Sequence, residues 1–138
     1  MLKYLLVTLL KEQYNLRILH WMAKGKGFNT NHLVVDDYIS KFSEYIDKVA
    51  ELMLIQDEKI PSDNEVDVIA KQLKIRKLLV RNYDSETIYK VINNIFNNII
   101  NIIKECDKEY PSFITSELDS IEYWFQLEAN YKNKQKMS

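Results

Sequence analysis

The sequence predicts an all-α fold, a four-helix bundle with a long crossover and a short connecting helix between its second and third helices. Three observations carry that expectation. The 138 residues include only two glycines and two prolines, so few positions favour a turn or a break. Four segments repeat apolar residues at three- and four-residue intervals, the pattern that one buried face of an α-helix produces. Such amphipathic helices cannot bury their stripes alone, and a bundle is the common solution. Residues 57–84 separate the second stripe from the third and are long enough to carry the crossover.

The first helix is expected over 2–24, where Leu2, Leu5, Leu6, Leu9, Leu16 and His20 fall at helical spacing and Gly25 and Gly27 punctuate the end. Asn29 to Asn31 can cap a second helix over 29–56, with Val35, Ile39, Phe42, Ile46, Val49 and Met53 on its inner face; Ile60 and Pro61 mark its end. Ser62 and Asp63 start a connecting helix over 63–82 that carries Val66, Ile69, Ala70 and Leu73. Asp84 or Ser85 caps the third long helix, 85–109, striped by Ile88, Ile92, Ile95, Ile99, Ile102 and Cys106. Its asparagines lower helix propensity, so packing has to hold it. Pro111 opens the last helix, 111–131, where Ile114, Leu118, Ile121, Phe125 and Leu127 face inward and Tyr131 lies near the end. The polar tail KNKQKMS follows. No internal repeat or domain boundary is visible, and 1–138 reads as one domain.

Composition excludes several classes. A net charge of −1 and a pI near 6.1 give no global drive toward nucleic acid. One cysteine, Cys106, rules out an internal disulfide framework and suits a reducing compartment. The opening MLKYLLVTLLK lacks a small-residue cleavage pattern and runs into Glu12, Gln13 and Asn15, so it is read as a retained helix. No apolar run reaches membrane-spanning length. A cytoplasmic protein with no membrane partner is expected.

The chemistry concentrates in one stretch. The chain has two histidines, His20 and His32, and both stand near Asp36, Asp47 and Glu51. Asp36 follows His32 by four residues and Glu51 follows Asp47 by four, so each pair shares a helix face. Asp36 to Asp47 is close to three turns, which puts all four on one stripe. Imidazole with carboxylate oxygen points to iron or manganese before magnesium or calcium, and Zn²⁺ accepts the same ligands. Acids at four-residue spacing are also common on solvated faces, and the spacing alone changes the odds only modestly.

The segment from His20 to His32, HWMAKGKGFNTNH, resembles the Dps miniferritins, whose pattern reads H-W-x-x-K-G-x-x-F-x-x-x-H. Every fixed position is present. In that family the second histidine is followed at four, fifteen and nineteen residues by an acid, an aspartate and a glutamate; here those offsets fall on Asp36, Asp47 and Glu51, with Ile46 and Ala50 also as the family has them. The likeness runs ungapped from about Leu16 to Leu54. Beyond it the family is matched in outline, with Trp124 in the last helix.

The resemblance implies a ferritin-like four-helix bundle and a di-iron ferroxidase site divided between two subunits about a twofold axis. His20, His32 and Asp36 of one subunit would face Asp47 and Glu51 of the other, and Fe(II) would be oxidised by peroxide or dioxygen for iron storage and protection against oxidative stress. Most ferritin-like proteins instead build the site inside one bundle with Glu-x-x-His pairs, which this chain lacks. Trp21 would lie beside the metal, either intercepting radicals or packing at the dimer seam. Met22 and Met53 read as filler. Lys24 and Gly25 would shape the turn. The family usually closes twelve subunits into a shell. Members that bind DNA generally use a basic terminal extension; Lys132, Lys134 and Lys136 form a small one, equally readable as a solvated end. The alternative from another class is a ferritin-like structural or interaction protein, of phage or bacterial origin, that keeps the ligands without forming a storage shell. A further one is zinc or manganese binding without turnover. Richness in Asn, Ile, Lys and Tyr suggests an AT-rich genome, bacterial or phage.

Overall fold

In the computed structural model, which describes residues 1–133, five α-helices follow one another: α1 (Leu2–Met22), α2 (Phe28–Ile55), α3 (Asp63–Gln72), α4 (Ser85–Cys106) and α5 (Ser112–Leu127). The chain then continues as a π-helical turn, Glu128–Lys132. The pairs α1–α2 and α4–α5 form two hairpins, and α1 packs on α4 to join them. The crossover, with α3 in it, lies against α1. The result is the expected four-helix bundle.

The stripes meet as anticipated. Leu5, Leu9, Leu16 and Leu19 of α1 are fully buried, as are Val35, Phe42, Val49 and Met53 of α2. On α4 the buried line runs Ile88, Ile92, Ile95, Ile99, Ile103 and Cys106, with Ile102 half-buried beside it. The aromatic centre is Phe96, whose ring centroid lies 5.0 Å from Tyr38, 5.1 Å from Phe125, 5.6 Å from Trp124 and 6.0 Å from Phe42. Val66, Ile69 and Ala70 of α3 cover Val7 in a second, smaller cluster. Burial pushes the Cys106 thiol up to about 12, which makes it an inert core residue.

The helix ends depart from expectation in instructive ways. The connecting helix was expected over 63–82 and stops at Gln72. Its start is as read: Ser62 and Glu65 form a capping box, each side chain bonded to the other's backbone N–H. Its end is a Schellman turn, in which the Ile75 N–H reaches the Ala70 carbonyl and the Lys74 N–H reaches the Lys71 carbonyl. Lys74 takes the left-handed conformation, φ +58°, that glycine normally marks. The same device closes α2, with Asp57 at φ +57° and Glu58 N–H bonded to the Met53 carbonyl. The third long helix ends at Cys106 instead of 109, and the fourth starts at Ser112 behind Pro111. Asp84 caps α4 through Thr87 N–H, 2.8 Å.

The first helix stops at Met22, two residues early, because Ala23 is extended and pairs with Tyr83 in an isolated parallel bridge. Lys24 N–H donates to the Tyr83 carbonyl and Tyr83 N–H to the Met22 carbonyl, each at 3.0 Å. Gly25 and Gly27 both have φ above +80°, and Gly27 sets the start of α2 at Phe28, ahead of the asparagines expected to cap it. Asn31 turns inward instead and accepts from Ser85 Oγ.

Three polar residues of α1, Thr8, Glu12 and Asn15, are buried where a pure apolar stripe would have placed none. Asn15 holds the descending crossover: its Nδ2 donates to the Arg76 carbonyl at 2.7 Å and its Oδ1 accepts from Leu78 N–H at 3.1 Å. The same Nδ2 lies 2.6 Å from Glu12 Oε1. Burial raises the Glu12 carboxyl above its ordinary value of 4.5, while Asn15 and Arg76 pull it part of the way back. The folded state therefore holds this proton more tightly than the unfolded chain does. The resulting stabilisation is complete below the ordinary value and is lost as pH rises through the raised one. Replacing Glu12 by Gln should remove that dependence. Urea midpoints of parent and variant, measured from pH 4 to pH 8, should diverge in the variant's favour as pH rises; parallel curves would show that Glu12 titrates normally.

Candidate metal centre

The α1–α2 turn brings His20 and His32 face to face. Their rings stack with centroids 3.8 Å apart and planes 22° apart, and Phe28 stacks on the other side of His32 at 5.3 Å. Each imidazole is tied to the other residue's backbone: His20 Nδ1 lies 3.2 Å from the His32 carbonyl oxygen and His32 Nδ1 lies 3.1 Å from the His20 carbonyl oxygen. A carbonyl oxygen can only accept, so both Nδ1 atoms carry the proton. In the neutral form of either ring this puts the lone pair on Nε2, where a metal can take it, the arrangement by which a backbone acceptor fixes tautomer and ring orientation. The His20 carbonyl, in the last turn of α1, is one of those a helix end leaves without an intrahelical partner.

Asp36, Asp47 and Glu51 are exposed on the outer face of α2, while both histidines are half-buried. Eleven residues of helix separate Asp36 from Asp47, about 16 Å, so the two carboxylates of one chain cannot share a metal. Among the described residues, no three of the five predicted ligands gather their ligand atoms within 4.8 Å in one chain. Exposed apolar side chains surround them: Trp21 at 59%, in edge contact with Tyr14, and Leu33 and Leu54 on α2. Behind this face Gln13 Nε2 ties α1 to α2 through the Ile39 carbonyl and Ser43 Oγ, 3.0 and 2.7 Å away.

One acidic group escaped sequence reasoning. Asp107 at the end of α4 meets Asp119 and Glu122 of α5, with one ligand atom of each within 4.8 Å of the others. Burial first, then repulsion from Asp119 and Glu122, raises Asp107. The i, i+3 spacing of Asp119 and Glu122 was a visible hint; the approach of Asp107 needed the tertiary fold. Of the basic tail, Lys132 pairs with Glu128 at 3.1 Å, and Lys134 and Lys136 lie outside the described residues.

No protein-family model matches the sequence, and no curated protein does. Solved structures do. The chain is similar to Dps from Staphylococcus aureus, with a TM-score of 0.85 at 18% identity, covering 99% of this chain and 92% of that one. Antigen TpF1 from Treponema pallidum gives 0.86 at 14% identity over 99% and 88%. The fold is that of the Dps miniferritins. CAIP from Helicobacter cinaedi is similar too, at 0.75 and 17% identity over 99% and 96%. The Dps fold thus extends over nearly the whole chain, well beyond the stretch from Leu16 to Leu54 in which the Dps pattern is legible. No helix among the described residues is long and apolar enough to cross a membrane.

Proposed function

We propose that the chain is a Dps-type ferroxidase whose metal centre forms between two copies of itself, oxidising Fe(II) for iron storage and protection against oxidants. The observation that carries this reading is the reciprocal bonding of His20 and His32, which leaves both Nε2 atoms free in a half-buried turn lined by exposed aromatic and apolar groups. A histidine pair kept only for packing would not need both rings held in the same metal-ready tautomer.

The spacing on α2 supports a divided site. The four ligands are symmetric about a point between Lys41 and Phe42. A twofold axis crossing α2 there sets Asp36 opposite Asp47 of a second copy, and His32 opposite Glu51. His20 joins from the preceding helix. Each dimer then holds two sites, each built from His20, His32 and Asp36 of one copy with Asp47 and Glu51 of the other. Burial of Trp21, Leu33 and Leu54 against that copy would supply part of the association energy.

Fe(II) is the substrate in this scheme. The imidazoles and carboxylates bind and orient it, the carboxylates offset its charge, and electrons pass to peroxide or dioxygen. None of the five side chains acts as a nucleophile. Zinc or manganese would occupy the same ligands, and zinc would do so without redox turnover. Assembly of dimers into a closed shell, and of the shell's lysine tails into a DNA-binding surface, extends the proposal by analogy with the fold.

The test is anaerobic ferrous loading followed by peroxide or dioxygen, followed by absorbance, with particle mass measured by light scattering on the same sample. Rapid oxidation at two irons per site in a dimer or larger assembly is expected. A protein that remains monomeric, or a dimer that leaves Fe(II) unoxidised, would refute the ferroxidase reading.

A further inference from the structure

Glu12 has no part in the metal centre. It precedes His20 by eight residues, about 12 Å along α1, and looks into a separate cleft between α1 and α4. The cleft encloses about 560 Å³, within the range of small-molecule sites. Glu12 lines it although only 5% exposed. One carboxylate oxygen accepts from Asn15 at 2.6 Å, and neither oxygen is among the buried polar atoms left without a partner.

The rest of the cleft mixes polar and apolar groups and is held in place. Asn94, Asn98 and Asn101 form a row of carboxamides along its α4 wall. Lys74 and Arg76 stand exposed at its edge, on the stretch of crossover that Asn15 fastens through the Arg76 carbonyl and the Leu78 N–H. Anionic acceptor below and cations at the rim are complementary to a ligand carrying both charges. A lone anion would meet Glu12, and a lone cation would meet Lys74 and Arg76.

We infer that this cleft binds a small zwitterion of the amino-carboxylic acid class, its ammonium on Glu12, its carboxylate toward Lys74 and Arg76, and its flank on the α4 asparagines. The ammonium donates to the Glu12 carboxylate at the cleft wall. The carboxamides serve either end, because each offers both donor and acceptor. Leu73, Ile75, Leu78, Val91, Ile95 and Ile102 also line the cleft, so charge spacing and the packing of the ligand's methylenes should together set selectivity.

The experiment uses the whole protein and a graded series of probes: glycine, β-alanine, 4-aminobutyrate and 6-aminohexanoate. Butylamine and butyrate serve as the two half-ligands. Binding is read by saturation-transfer NMR and by calorimetry. At least one zwitterion should bind, with each half-ligand weaker by about tenfold or more, the scale of one charge-assisted hydrogen bond. Glu12→Gln should reduce zwitterion binding by a similar factor. Asn98→Leu changes an exposed wall residue and should also reduce it; this variant decides the matter if circular dichroism shows that the glutamine variant does not fold. Absence of binding by every probe, butylamine binding as tightly as the zwitterions, or affinity unchanged in the folded variants would each overturn the inference. Iron oxidation is not read in any arm, so failure here leaves the ferroxidase proposal standing, and the reverse holds too.

Discussion

Mixed assemblies of His32→Ala and Asp47→Ala subunits should oxidise iron when neither variant does so alone. In a homodimer of either variant, both sites lack a ligand and turnover should fall to background. In the mixed dimer one site lacks both groups, whereas the other combines the intact His32 of one subunit with the intact Asp47 of the other. Random pairing after co-refolding makes half of the dimers mixed, so about a quarter of the parent's sites should be restored. Stopped-flow oxidation, with the heterodimer fraction counted by native mass spectrometry, gives the comparison. No recovery in a sample with abundant heterodimers would eliminate the divided site. A parent-like rate in either homomeric variant would remove that residue from the ligand set. Both substitutions lie on the partly or fully exposed face of α2, so helical content should remain near that of the parent.

The largest stability effect should come from Phe96→Ala. Phe96 is fully buried and touches Tyr38, Phe42, Trp124 and Phe125, which come from α2 and α5, so its loss opens a cavity where the two hairpins meet. Phe-to-Ala changes in packed cores cost about 3–5 kcal/mol through lost transfer free energy and the residual void. Equilibrium urea unfolding should show a midpoint lowered by about 1 M or more, given a slope of roughly 1–3 kcal/mol/M. A shift below about 0.5 M would mean that the aromatic layer relaxes to fill the space. Tyr38 makes collapse difficult, because its hydroxyl is anchored to Glu128 at 3.1 Å and lies 3.0 Å from the Asn133 carboxamide.

Much of this architecture was legible because it rests on local chemistry. Ser62 ahead of Asp63, and Asp84 ahead of Ser85, announce helix starts in adjacent residues, and the structure uses Ser62 and Asp84 as the caps. The α4 isoleucines announce a buried face. The end of α3 was not legible: Lys74 occupies a left-handed position for which the usual mark is glycine, and tertiary packing supplies what its side chain opposes. Glu12 and Asn15 were also passed over, since periodicity records apolar positions and cannot reveal that a polar one will face a crossover sixty residues away. In the candidate centre, residue types and spacing could be read directly. The mutual Nδ1–carbonyl bonds could not, because they depend on how the Gly25–Gly27 turn brings one backbone against the other ring.

The bridge between Ala23 and Tyr83 also bears on how the chain reaches this structure. The two helical hairpins close short loops and can form early. The seam joining residue 23 to residue 83 must instead close a loop of about sixty residues, an entropic toll that becomes worth meeting only after much of the surrounding surface is in place. This edge of the turn is therefore suited to last-stage closure in folding and to early opening in native-state fluctuations. Because Met22 and Lys24 provide its hydrogen bonds, the seam links the timing of chain closure to the geometry of the histidine turn.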